Sequence, residues 1–130
     1  MSYAPRILVV EDDGIVRQFL ETVLGQDGYY ITAVATGRHA LRIVREMHFE
    51  VVLVDMSLPD WDGPNLIREI LSDLPHLKTL AMSGAMGASM RGLAIQAGAD
   101  AICQKPVTPE ELRRHVYRLL DPSLSWARKA

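Results

Sequence analysis

Apolar positions along the chain fall into two alternating patterns: short unbroken runs, and longer stretches in which they recur every three or four residues. The run Ile7 to Val10 stops abruptly at Glu11-Asp12-Asp13, and the run Val51 to Val54 stops in the same way at Asp55. Such wholly apolar runs predict strands buried on both faces, and the acid after each falls where the strand leaves the core, exposed at one edge only. Tyr29 to Val34, Lys78 to Met82 and Ala101 to Gln104 predict further strands. Between them, Ile15, Val16, Phe19, Leu20, Val23 and Leu24 recur at helical spacing behind Asp13, a candidate N-cap, with Gly25 and Gly28 closing the helix. Thr36-Gly37 leads into a second helix with Ala40, Leu41, Val44 and Met47 on its inner face. Leu58 to Gly63 is loop chemistry, and Pro64 suits the first turn of a helix carrying Leu66, Ile67, Ile70 and Leu71. Ala85 to Ala97 places Met90, Leu93, Ala94 and Ala97 at helical spacing. Gly84, Gly87 and Gly92 each weaken it by ~1 kcal/mol relative to Ala, so it is expected to be the least rigid helix. Thr108-Pro109-Glu110-Glu111 supplies a cap, an N1 proline and a capping-box glutamate for a last helix through Leu112, Val116, Leu119 and Leu120.

Five strand signals alternating with five helix signals predict an α/β fold, a parallel sheet covered on both faces. Ligand sites in doubly wound sheets lie beyond the carboxyl ends of the strands. Here those ends carry Glu11 and Asp12, Asp55, Ser83 and Lys105. Each alone reads equally well as a solvated strand-end residue; the information is in their convergence. Carboxylates within a few ångströms of one another repel, and each has its pKa raised unless a cation joins them. Hard oxygen ligands with open water positions suit Mg²⁺. With that charge neutralised, one carboxylate can act as a nucleophile toward a phosphoryl group, as in aspartyl-phosphate enzymes. The metal, the Ser83 hydroxyl and the Lys105 ammonium then meet the charge on the phosphoryl oxygens.

Composition narrows the reading. At 130 residues and 48% hydrophobic, the chain suits one domain with a substantial core and leaves no room for a second. A net charge of -2 and no evident Lys/Arg stripe argue against direct nucleic-acid binding. The single cysteine, Cys103, lies in an apolar run and reads as a small core residue in a reducing compartment. No apolar run is long enough to cross a bilayer and Met1-Ser2-Tyr3-Ala4-Pro5 lacks a signal-peptide core, so a cytoplasmic protein without membrane insertion is expected. His39, His48, His76 and His115 are scattered without ligand spacing. The methionines read as core, with Met86 and Met90 as candidates for a docking face. Arg113, Arg114 and Arg118 mark a solvated face of the last helix. Trp61, beside the acidic site, either shields its loop or meets a donor protein.

Five motifs in order resemble the receiver domain of two-component response regulators, the CheY-like superfamily, from about Arg6 to Leu120. They are Ile7-Leu8-Val9-Val10-Glu11-Asp12-Asp13, Asp55 through Gly63, Ala81-Met82-Ser83-Gly84, Gly98-Ala99-Asp100 and Lys105-Pro106. The resemblance implies a flavodoxin-like doubly wound (βα)5 fold with a five-stranded parallel sheet in the order 2-1-3-4-5, spanning residues 1–121, with a short C-terminal tail at 122–130. It implies that Asp55 is the phosphoacceptor, that Asp12 binds Mg²⁺ directly, that Glu11 acts mainly through a metal-bound water, and that the backbone carbonyl of Ser57 completes the protein ligands. Lys105 would pair with the phosphoryl oxygens, its bond to Pro106 would be cis, and Ser83 would be the switch hydroxyl. Asp13 is left as a helix cap, and Gly63 serves loop geometry. Small residues at Ser57 and Ala85 leave room for attacking water. The implied activity is self-catalysed phosphotransfer and dephosphorylation, not turnover of a separate metabolite. The implied donor is a histidine kinase or histidine phosphotransfer protein; the downstream protein target is unknown.

Two positions depart from the family pattern: Ile102 stands where an aromatic switch residue is usual, and Val107 where Phe follows Lys-Pro. Output is therefore expected to run through the glycine-containing segment from Gly84 to Gly92. A tail from Asp121 to Ala130 is too short for an output domain, which favours a stand-alone receiver. Leu124 and Trp126 are expected either to fold back on the last helix or to join a second protomer in a phosphorylation-linked dimer. A second reading is a phosphorylation-independent interaction module, supported by Ile102 and Val107 and opposed by the intact acidic, hydroxyl and lysine set. A dehalogenase-type phosphatase fails, because it needs an acid two residues after the nucleophile, where this chain has Ser57.

Overall fold

Each unbroken apolar run is a strand and each periodic stretch a helix in the computed structural model, which describes residues 4–84, 87–121 and 123. In chain order these are β1 (Arg6–Val10), α1 (Gly14–Gln26), β2 (Tyr30–Val34), α2 (Gly37–Val44), β3 (Val51–Asp55), α3 (Gly63–Asp73), β4 (Lys78–Ser83), α4 (Ala88–Ala97), β5 (Ala101–Gln104) and α5 (Pro109–Leu120). All strand pairs are parallel and the order is β2-β1-β3-β4-β5, the flavodoxin-like α/β arrangement. β1 and β3 are inner strands and both faces must be apolar, which is why their runs do not alternate. Leu8, Val10, Val52 and Val54 face Ala40 and Val44 of α2 and Leu66, Ile67 and Ile70 of α3. Ile7, Val9, Val51 and Leu53 face Leu20, Val23 and Leu24 of α1 and Leu112 and Val116 of α5. Burying one such aliphatic side chain contributes about 1.5–3 kcal/mol, so the two layers supply most of the driving force.

Polar residues at the helix starts satisfy amides that the helices leave free. Asp13 accepts from Ile15 N and Val16 N, and Thr108 and Glu111 form the expected capping box. Pro64 lies in the first turn of α3 behind Asp62, whose side chain accepts from Asn65 N. α4 follows Gly87 with no side-chain cap, in keeping with a weak helix.

Several local expectations are corrected. α1 runs through Gly25 to Gln26 and closes at Asp27-Gly28, where Gly28 has φ +87°. α2 stops at Val44, so Met47 lies beyond it, and β2 begins at Tyr30, not Tyr29. α4 begins at Ala88, while Ala85 and Met86 lie outside the described residues, as do Leu124 and Trp126. Leu93 shares the helical spacing of α4 yet is exposed, as is Ile95. Ile15 departs most: it repeats with the inner face of α1 and is 83% exposed. Cys103 is a core residue of β5, and burial, with Glu111 adding to it, pushes its thiol up to about 12. That leaves essentially no thiolate near neutral pH.

Candidate functional site

The carboxyl ends of β1, β3 and β4 and the segment after β5 bring the predicted groups to one edge of the sheet. Asp55 is the last residue of β3, paired in register with Met82, and Ser83 follows as the last residue of β4. Glu11 is anchored just past β1 by a hydrogen bond from its amide to Val34 O at 3.0 Å. Lys105 is held beyond β5 by its amide, which donates to Ser83 O at 2.9 Å, and the Lys105–Pro106 peptide bond is cis. Glu11, Asp12 and Asp55 each offer a carboxylate oxygen within 4.8 Å of the others. The Lys105 ammonium lies 2.7 Å from Glu11 Oε1 and 3.4 Å from Asp55 Oδ2. Sequence reasoning left Asp55 exposed at one edge; the strand end is instead enclosed, and Asp55, Glu11 and Ser83 are all buried while Asp12 stays exposed.

The electrostatics follow from this packing. Burial foremost, and the charge of Asp55 after it, raise the Glu11 carboxyl above the ordinary range despite Lys105 and the amide of Asp13, which donates to Oε2 at 3.1 Å. At Lys105 desolvation opposes the charge, but the close contact with Glu11 and the field of both acids outweigh it and the ammonium is held above its usual value. Glu11 Oε1 is close enough to Lys105 for an ion pair, yet no donor meets it in hydrogen-bond geometry. A buried carboxylate oxygen without a directed donor, beside two more acids and one ammonium, is a donor set short of positive charge. Hard oxygens in this number fit Mg²⁺.

A profile of the response regulator receiver domain matches residues 7–117. The chain belongs to that family. This receiver domain is 37% identical over 120 residues to the two-component response regulator PhoP of Pseudomonas aeruginosa, an alignment covering 91% of this chain and 52% of that protein. It thus spans about half the length of such curated relatives. A CheY-like receiver domain protein from Methanospirillum hungatei superposes with a TM-score of 0.87 at 28% identity, covering 98% of each chain. A beryllofluoride-activated DrrB receiver domain superposes with a TM-score of 0.84 at 29% identity over 91% of this chain and 98% of that one. Membership makes the receiver a signalling module of a two-component system and not a catalytic enzyme, and it implies a cognate histidine kinase. The acidic triad is the one typical of the receiver Mg²⁺ site. No helix among the described residues is long and apolar enough to cross a membrane.

Sequence reasoning missed three supports of the receiver's site. Arg17 Nη1 donates to the carbonyls of Glu11 at 2.9 Å and Asp12 at 3.3 Å, fixing the turn that presents both acids; its place on the polar side of α1 gave no signal. The Ser57 amide donates to Asp55 Oδ1 at 3.1 Å, an Asx-type contact that spacing alone permits but does not demand. Asp60 reaches from the loop after β3 to the start of α2, where Gly37 N and Arg38 N donate to its two oxygens at 2.9 and 3.0 Å. Desolvation raises it most, but those amides and the Arg38 charge together outweigh that, and the carboxyl sits below the usual range. Trp61 packs on Gly37 so closely that a Cβ there would lie 2.7 Å from the indole. Of the two departures, Ile102 is half-buried against the α2–α3 side of the core, and Val107 lines an apolar groove with Ile15, Val16, Phe19 and Lys105.

Proposed function

We propose that Asp55 accepts a phosphoryl group from a phosphohistidine of a histidine kinase or phosphotransfer protein. The bond from phosphorus to the imidazole nitrogen breaks, its electron pair stays on the nitrogen, and a carboxylate oxygen of Asp55 forms the new bond. The observation that carries this reading is the convergence of the Glu11, Asp12 and Asp55 carboxylates against one lysine. Asp12, Asp55 and the backbone carbonyl of Ser57, with Glu11 mainly through a bound water, would hold Mg²⁺, which would supply charge neutralisation and Lewis acidity. Asp55 is oriented by the Ser57 amide, which leaves lone pairs of the carboxylate for attack. Lys105, at the edge of the site, turns its ammonium to the phosphoryl oxygens, and the Ser83 hydroxyl closes on the same group. The added charge of roughly -1.5 to -2 reorders the loops after β3 and β4 and changes binding to a downstream protein, or the group passes onward.

The donor protein approaches across the groove beside Lys105, where the exposed Ile15 offers an apolar anchor that no core contact explains. Ile15→Glu is therefore expected to slow transfer from a phosphohistidine protein by about tenfold or more while leaving small-donor phosphorylation unchanged. Equal slowing with both donors would place the defect in the acceptor instead. The primary test is incubation with Mg²⁺ and acetyl phosphate followed by intact mass. One phosphoryl adduct is expected on the native protein and none on Asp55→Ala. An unchanged mass at saturating donor would favour a phosphorylation-independent interaction module.

A further inference from the structure

α2 carries Arg38 and Arg42, and Arg45 is its C-cap in helical backbone geometry; at intervals of four and three residues the three fall on one side. Read linearly, they are dispersed among apolar residues and no basic stripe is evident. The fold adds what the sequence separates: Trp61, brought over by the Asp60 clamp, stands beside this helix, and with Leu41 it forms the apolar wall of an open groove of about 510 Å³. The three arginines line the groove against one acid, Glu46. Arg45 is already balanced by Asp73 at 3.0 Å. Arg38 and Arg42 are exposed and form no ion pair among the described residues, in a chain whose net charge is -2.

We infer that this α2–Trp61 groove docks an acidic protein segment, an apolar side chain seated between Leu41 and Trp61 and flanking carboxylates held by Arg38 and Arg42. Guanidinium groups are suited to carboxylates because two parallel N–H donors match two oxygens, and an adjoining indole supplies the desolvated anchor that makes such pairs count. A nucleic acid fits less well. Its phosphates need a longer basic track than Arg38 and Arg42 provide, and Glu46 lies in the groove. The surface is distinct from the acidic pocket, and the inference stands whether or not Asp55 accepts phosphorus.

The test uses the unphosphorylated full chain and a fluorescein-labelled short peptide of glutamates flanking a central pair of leucines, with binding read by anisotropy. Saturable binding that weakens as salt is added is expected. The Arg38→Ala/Arg42→Ala double variant is expected to weaken it about tenfold or more. Trp61→Ala is expected to do the same, and Trp61→Phe, which keeps an apolar wall, to retain most of the affinity. Acetyl phosphate labelling of each variant, read by mass, shows separately that the fold and acceptor are intact. Binding by the double variant as tight as native overturns the inference. So does an oligonucleotide of equal charge that binds through the same arginines more tightly than the peptide.

Discussion

Asp55→Asn is expected to raise the melting temperature of the metal-free protein at neutral pH, although it removes a buried charge that faces an ammonium. Asparagine keeps an acceptor for the Ser57 amide, and Lys105 keeps its closer partner, Glu11, at 2.7 Å. What disappears is repulsion between Asp55 and its neighbours, at separations where unit charges interact by several kcal/mol at an effective dielectric near 20. After partial compensation by Lys105, a net gain of about 1–2 kcal/mol, or a few degrees, is expected. The pH dependence has a definite sign. Glu11 is raised above its ordinary 4.5, chiefly by burial and then by Asp55, so its contribution is fully present below 4.5 and is lost as pH climbs through the raised value. Lys105, raised above 10.5, contributes stability across that whole window and loses it only on the alkaline side. In chelator, therefore, the native protein should lose stability above pH 4.5 more steeply than Asp55→Asn. Mg²⁺ should raise the melting temperature of the native protein and barely move the variant. A variant that melts below native in chelator at neutral pH would show that the acids do not repel as described.

Gly63→Ala is expected to cost on the order of 3 kcal/mol, whereas the same change at Gly92 should be neutral or stabilise by up to about 1 kcal/mol. A Cβ at Gly63 would lie 2.6 Å from Met56 Cα and 2.9 Å from Met56 O. Those are main-chain atoms at the exit of β3, where Met56 N donates to Met82 O at 2.7 Å, so little can yield. At Gly92 nothing lies within 4 Å, and alanine is the better helix former. Chemical denaturation of both variants checks the pair, and equal midpoints would contradict the close approach. Gly63→Ala should also slow phosphoryl acceptance, because the clash displaces the segment that carries Ser57.

The core was legible because the buried strands are apolar on both faces and the helices carry well-placed caps such as Asp13 and Thr108. The acidic pocket was legible for a related reason: strands that stop at charge mark the edge where parallel sheets gather their ligands. Ile15 was misread because periodicity reports which residues could share a face and not how far that face extends past the neighbouring helix. Arg17, Asp60 and Trp61 were not legible in their roles, since each contacts an element remote in the chain or a carbonyl with no side-chain signature. The stripe on α2 escaped because charges three and four apart look diluted until they are wound onto one helix.

Asp55 closes a strand that is paired on each side, to β1 and to β4, while the loop that follows it and the turn through Lys105 lie beyond the ladder. The acceptor is thus mounted on an inner strand of the sheet, and the loops that would meet a partner lie outside it. Exchanging those outer loops with a relative's should transplant partner choice while leaving the chemical step in place, which makes this scaffold a natural base for rewired signalling chimeras.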